Sequence, residues 1–168
     1  MESTFGLSRC RLWMKPSLLF IIGLFVSNFG WSQVITNCKD PIGNAYFPNK
    51  GIILKKDIGW SKDKITGGIT TFKKIGNDNF DILYVDTRKN IYSSVDSGAK
   101  VLLLRQSEFE LAVLVYYPND TIEIYTFYKT NDNKFEYTHL QTKGGDIDIS
   151  KSMVMVGSCD KIDFSIIK

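Results

Sequence analysis

The chain has 168 residues, of which 43% are hydrophobic and 23% charged, and its formal net charge at pH 7 is +3. This length corresponds to about one domain, and the composition excludes a globally disordered chain, a collagen-like chain and a disulfide-dense miniature. The charge is too small to indicate nucleic-acid binding, so we expect no nucleic acid among the partners.

Residues 1–32 are typical of a cleaved secretory signal peptide. Three basic residues precede an apolar run at 18–26, and small residues follow it, ending at Ser32. Met14 is an alternative start that would give a more compact signal. The apolar run is shorter than the ~20 residues of a membrane-spanning helix, so we expect no stable membrane anchor. The pattern predicts an exported protein, either periplasmic or extracellular.

Cleavage after Ser32 changes the inventory of residues available for chemistry. Residues 33–168 keep 18 basic and 17 acidic residues, a net charge of +1, with one tryptophan and one histidine. They also keep two cysteines, Cys38 and Cys159, near opposite ends. Because two thiols in an exported protein usually pair, we predict a disulfide between them. That bond requires the first and last segments to be neighbours.

Residues 33–168 are expected to form a single β-domain. Residues 33–64 contain two prolines and several glycines, and we interpret them as an irregular segment that wraps across the sheet. From residue 66 onwards, apolar runs alternate with turn signals every eight to twelve residues, which is typical of an all-β barrel or sandwich. Eight strands are predicted, at 66–75, 80–86, 91–94, 101–105, 109–117, 121–129, 135–141 and 152–158.

The short connections between these strands force neighbours to be antiparallel. We therefore predict an antiparallel meander of about eight strands, closed or partly open as a barrel, with a β-sandwich as the alternative. Within Thr121–Lys129, the alternation places Glu123, Tyr125 and Phe127 on one face of the strand.

Three aromatic residues are candidates for recognition. Tyr125 and Phe127 belong to an aromatic-rich group of strands, and Trp60 lies in a charged segment next to Gly59. Trp60 is either a recognition residue on a loop or a plug that closes one end of the fold. Gly59–Trp60 is similar to the Gly-x-Trp of lipocalins, although no residue separates the pair here and the first predicted strand follows it. The similarity covers only three or four residues, and we infer no function from it.

Several chemistries find no support in the sequence. A single histidine and two bridged cysteines cannot assemble a zinc site of nitrogen and sulfur ligands, so we expect no metal and no cofactor. A serine triad would depend entirely on His139, which we interpret as an exposed strand residue. No catalytic residue is assigned, and the protein is not expected to be an enzyme.

The function predicted from sequence is that of an exported binding or structural module. One alternative is a lipocalin-like carrier of a small apolar ligand, which requires a cavity of roughly 300–1,000 Å³. Another is a carboxylate-dependent hydrolase that uses Asp146 and Asp148, placed by alternation on one face of a strand. The partner itself is unknown, with a protein, a glycan or a small apolar ligand as the three options.

Overall fold

The structure, a computed structural model, describes residues 32–86 and 88–165. The predicted signal peptide and the alternative start at Met14 lie outside the described residues, except for Ser32. The described chain is almost entirely β-structure, with one short 3₁₀ turn at Lys55–Asp57. Ten strands follow in chain order: β1 (Gln33–Phe47), β2 (Gly59–Lys64), β3 (Ile69–Lys74), β4 (Phe80–Val85), β5 (Ile91–Ser93), β6 (Lys100–Gln106), β7 (Glu110–Tyr116), β8 (Thr121–Lys129), β9 (Phe135–Lys143) and β10 (Lys151–Ile162).

The strands form one antiparallel sheet that curls into a half-barrel. Their spatial order is β5-β4-β3-β1-β10-β9-β8-β7-β6, and β2 pairs with the second half of β1. Strands β3–β5 and β6–β10 are therefore two meanders, and β1 joins them by pairing with both β3 and β10. This confirms the predicted all-β fold and its eight predicted strands. The barrel is partly open, with β5 and β6 at its two edges.

The prediction that residues 33–64 are irregular is wrong, because β1 is the longest strand and lies at the centre of the sheet. Its alternation is hidden by a bulge: the register with β10 shifts between Lys39 and Ile42. Asp40 there has a φ of 52°, and Pro41 lies at the irregularity, where a missing N–H is tolerated. Residues 59–64 form β2, which also belongs to the sheet.

The predicted disulfide is confirmed. Cys38 of β1 and Cys159 of β10 are direct cross-strand partners with their Cα atoms 3.9 Å apart. The bond links the two strands that hold the meanders together, and Cys38 is buried within the core. The termini of the domain are therefore adjacent, as the pairing required.

The main core fills the concave side of the half-barrel. On β8 the burial alternates as predicted, with Glu123, Tyr125 and Phe127 buried and the intervening residues half-buried or exposed. Phe127 stacks on Phe72 of β3 with ring centroids 5.4 Å apart, and on Tyr137 of β9 at 5.9 Å. These contacts bring β3 over the face of β8 and β9, which curves the sheet and leaves a pocket beside the aromatic core.

Candidate functional site

The concave face holds an open pocket with a volume of about 450 Å³. Its lining comes from β3 and β4 on one side and from β8, β9 and β10 on the other. The aromatic core that begins at Tyr125 and Tyr137 bounds it on the inside. The pocket exists because the sheet is curved but not closed, so that side chains do not fill the whole concave volume.

The pocket has apolar walls and a polar floor. Ile65 of the β2–β3 connection, Val85 of β4 and Met153 of β10 contribute apolar surface. The floor is formed by Glu123 on β8 and His139 on β9. Both side chains are about nine-tenths buried, with 9% of each accessible. Ligand pockets in proteins commonly combine apolar walls with a few placed polar groups of this kind.

Glu123 is the centre of a hydrogen-bond network. Its Oε2 accepts a bond from the hydroxyl of Tyr125 at 2.9 Å, and its Oε1 accepts one from Nε2 of Gln141 at 2.5 Å. Nε2 of His139 lies 3.7 Å from Oε1, which is beyond hydrogen-bonding distance. The imidazole also stacks on the ring of Tyr125, with centroids 4.2 Å apart. Four side chains from two strands thus form one rigid group.

The arrangement follows from the pairing of β8 with β9. Glu123 is the cross-strand partner of Gln141, and Tyr125 is the partner of His139. Directly opposite residues on one face of an antiparallel pair have Cβ atoms about 4.5–5.5 Å apart. The register alone therefore places the four side chains within reach of one another on the concave face.

The electrostatics of the floor favour an ionised Glu123. Burial raises the pKa of this carboxyl group, but the neighbouring imidazole of His139 and the bonds from Gln141 and Tyr125 more than offset it. The net pKa lies below the ordinary value of 4.5. A buried carboxylate is consequently charged at neutral pH.

The tyrosines around Glu123 remain neutral. Burial, together with the charge of Glu123, raises the pKa of Tyr125 well above 10.0. Burial raises the pKa of Tyr117 to about 12, with the same carboxylate as a further contribution. The hydroxyl of Tyr117 donates to Ser94 at 3.0 Å. The pocket therefore presents neutral phenol rings around the buried carboxylate of Glu123, and Asp86 and Asp120 line it at less buried positions.

His139 is the candidate site residue that the sequence interpretation missed. The expectation of an exposed strand residue is wrong, because only 7% of His139 is accessible. Its Nε2 has no hydrogen-bond partner although it is buried. Tyr137, His139 and Gln141 lie on one face of β9, and Glu123 and Tyr125 lie on one face of β8. The sequence signal for the site was therefore the presence of polar residues on the same faces as apolar ones in two consecutive strands.

The three residues predicted as recognition candidates differ in exposure and position. Trp60 is 70% exposed, lies on β2 and contacts the ring of Tyr46 across the β1–β2 pair, with centroids 5.4 Å apart. It is neither on a loop nor a plug. Phe127 is fully buried and Tyr125 is 3% exposed, so these two cannot form an outer recognition surface. Tyr125 instead faces the pocket.

The predicted carboxylate pair, Asp146 and Asp148, lies in the irregular connection between β9 and β10. Neither residue belongs to a strand and both are exposed, so the expectation that a strand holds them on one face is wrong. Gly144–Gly145 interrupts the alternation, and Gly145 has a φ of 88°. A second hollow of about 440 Å³ borders this loop.

Within residues 32–86 and 88–165, no group of three or more His, Cys, Asp or Glu side chains could hold a metal ion. The same residues include no helix long and apolar enough to cross a membrane. The fold and pocket define an antiparallel half-barrel with a ligand-sized concave site. No family model, curated protein or solved structure matches the chain.

Proposed function

We propose that this protein is an exported binding protein that holds a small molecule in the concave pocket. The observation that carries the proposal is the pocket of about 450 Å³ with apolar walls and a buried polar floor. Its volume lies within the range of roughly 300–1,000 Å³ typical of small-ligand sites. Of the three kinds of partner considered from sequence, a small ligand is the one that this geometry supports best.

The unpartnered Nε2 of His139 supports the same proposal. A buried polar atom without a hydrogen bond costs about 1–3 kcal/mol, which a ligand could recover by occupying the position beside it. The surrounding side chains are already fixed by the Glu123 network and by stacking on Tyr125. Binding would require little rearrangement, which favours affinity.

Export is part of the proposal. The disulfide between Cys38 and Cys159 is of a kind that persists in oxidising compartments, and it is compatible with secretion. The signal peptide predicted at 1–32 provides the route. We place the protein in the periplasm or outside the cell.

The test of export and binding is native mass spectrometry of protein purified from its own host. Export predicts a mass that corresponds to cleavage after Ser32, lower by two hydrogens for the disulfide. Binding predicts a retained small molecule that is released on denaturation. A full-length, unbridged and ligand-free species would overturn the proposal.

A pair of adjacent substitutions locates the site. Thr121→Trp places an indole into the pocket from its β8 lining, whereas Ile122→Trp places the same group on the convex face, where Ile122 is 49% exposed. We expect only the first variant to lose the retained molecule. Equal retention by both variants would show that the ligand lies elsewhere.

A further inference from the structure

We infer that the molecule bound in the pocket carries a protonated amine, which is held by Glu123 and His139. This inference rests on the proposed function and adds the chemical class of the ligand to it. It follows from the charge of the floor, from its free acceptor positions and from the aromatic residues around it.

The first step concerns charge. Glu123 is ionised and about nine-tenths buried, and its two hydrogen-bond donors, Tyr125 and Gln141, are both neutral. In the described part of the chain, no lysine or arginine nitrogen lies within 4.0 Å of this carboxylate, and His139 is its nearest basic group. A buried charge of this kind is normally paired and hydrogen-bonded. Nε2 of His139, at 3.7 Å, makes no hydrogen bond to it, so the carboxylate has no hydrogen-bonded cation.

The lysines of the pocket do not supply that cation. Lys151 lines the pocket and pairs with Asp63 of β2 at 3.6 Å. Lys143 is at the end of β9 and is the cross-strand partner of Lys151 and of Thr121, four residues along β9 from His139. The lining thus combines these two lysines with Asp86 and Asp120 at less buried positions, whereas Glu123 is the acidic residue that is about nine-tenths buried.

The second step concerns hydrogen bonding. A carboxylate oxygen accepts about two hydrogen bonds, and each oxygen of Glu123 has one from the protein. Nε2 of His139 is buried without a hydrogen-bond partner and lies 3.7 Å from Oε1, and it is a second acceptor when the only ring proton is on Nδ1. A nitrogen placed between the two atoms reaches both at ~2.8 Å. An ammonium group carries three donors and therefore satisfies both acceptors at once.

The third step concerns the aromatic surroundings. Tyr84, Tyr117 and Tyr125 line the pocket together with Glu123. Burial raises the pKa values of all three, and the charge of Glu123 adds to the effect. Aromatic rings attract ammonium groups through their negative faces, and desolvation strengthens this attraction. A carboxylate or phosphate ligand would instead meet the like charge of Glu123 in a buried position. The floor therefore selects a cation over an anion.

The class of ligand is accordingly a small amine with an apolar body. The amine would lie against Glu123, and the body would extend along the apolar walls formed by Ile65, Val85 and Met153. A purely apolar ligand would leave the carboxylate without a counter-charge and Nε2 of His139 without a partner. This inference changes the lipocalin-like alternative, because the expected ligand is a small amine with an apolar body and not a purely apolar molecule.

The test compares three probes of matched shape that differ only in the terminal group: 4-phenylbutylamine, 4-phenylbutanol and 5-phenylvalerate. Affinities for the purified protein are measured by NMR titration at pH 7. We expect the amine to bind at least tenfold more tightly than the alcohol and the carboxylate to bind most weakly. Equal or tighter binding of the alcohol or the carboxylate would overturn the inference.

Glu123→Gln provides the direct test, because it keeps the shape of the side chain and removes the charge. We expect the affinity for the amine to fall at least tenfold and the preference over the alcohol to disappear. Glu136→Gln is the matched control, since Glu136 accepts a bond from Tyr128 at 3.4 Å on the opposite face of β9. An unchanged preference in the Glu123 variant would contradict the assignment.

The experiments distinguish failure of the proposed pocket from failure of the proposed amine ligand. If the alcohol binds as well as the amine and Thr121→Trp blocks both, the pocket is a binding site and the amine inference is wrong. If Thr121→Trp alters the binding of no probe and of no retained molecule, the pocket itself is not the site. Should Glu123→Gln fail to fold, the probe series on the unmodified protein still decides the charge preference.

Discussion

Breaking the disulfide is expected to lower the free energy of unfolding by about 5 kcal/mol. Cys38 and Cys159 are separated by 121 residues, so their bond closes nearly the whole domain into a single loop. In the chain-entropy model, a loop of this length loses about 16 cal/mol/K in the unfolded state, or about 5 kcal/mol at 25 °C. The effect acts on the unfolded chain, because the two strands are already paired in the folded state.

The assay is urea unfolding at 15 °C, close to the temperature at which domains are usually most stable. Three samples are compared: the oxidised protein, the same protein with reductant, and the double variant Cys38→Ala with Cys159→Ala. Reduction should also increase the dependence of the free energy on urea, since an open unfolded chain exposes more surface than a closed loop. Reductant should have no effect on the double variant, which controls for effects of the reductant that do not depend on the Cys38–Cys159 bond.

A loss below ~1 kcal/mol on reduction would refute the loop-closure reasoning. It would mean that the unfolded chain keeps its ends together without the bond, or that the bond adds strain of similar size to the folded state. An unchanged urea dependence would point to the first explanation. Because domains are stable by only about 5–15 kcal/mol, the predicted loss places the reduced protein near its unfolding threshold.

Three further substitutions test the packing and charge of the fold. Phe127→Ala should cost about 3–5 kcal/mol, as measured by urea unfolding, because the ring is fully buried, whereas Tyr128→Ala on the opposite face should cost about 1 kcal/mol or less. Asp81→Asn should cost about 1–3 kcal/mol of unfolding free energy, because this residue is 2% exposed, lies 3.5 Å from the ammonium of Lys73 and accepts two hydrogen bonds. Asp78→Asn, at an exposed position, is the control. Equal effects of the two substitutions would argue against a stabilising role of the buried Asp81 carboxylate. For Glu123, the folded pKa lies below the ordinary 4.5, so ionisation stabilises the fold above that value and the contribution is lost as pH falls through the folded pKa. The stability difference between the unmodified protein and Glu123→Gln should therefore be constant above pH ~5 and shrink in more acid solution, and a difference independent of pH would contradict an ionised floor.

The eight strands from β3 to β10 could be predicted because each combines local alternation with a turn signal beside it. The strand β1 could not, since its period of two is broken at Asp40–Pro41 and depends on a partner more than 100 residues away. Gly43 resembles a strand breaker in sequence, yet a Cβ at that position would lie 1.9 Å from the carbonyl oxygen of Val154. The glycine is thus required by the close approach of β10.

The residues that form the floor of the pocket could not be predicted from sequence for a related reason. The face of β8 that carries Glu123 and Tyr125 was predictable from alternation within one strand. The pairing of these residues with Gln141 and His139 depends on the register across the connection at 130–134, where Asn133 has a φ of 63°. A shift of one residue would move His139 to the convex face, so knowledge of the strand alone could not locate it.

The central position of β1 has a consequence for the timing of folding. During synthesis β1 is made early, but Cys159, on its partner β10, follows Cys38 by 121 residues. At ~5–20 residues per second, this corresponds to a delay of about 6–24 s. Throughout that interval β1 lacks β10, the strand that pairs with it on one side, and Cys38 lacks the thiol with which it pairs in the folded domain. The β3–β5 meander and the strands β6–β9 can form first, but the half-barrel is completed only when β10 arrives.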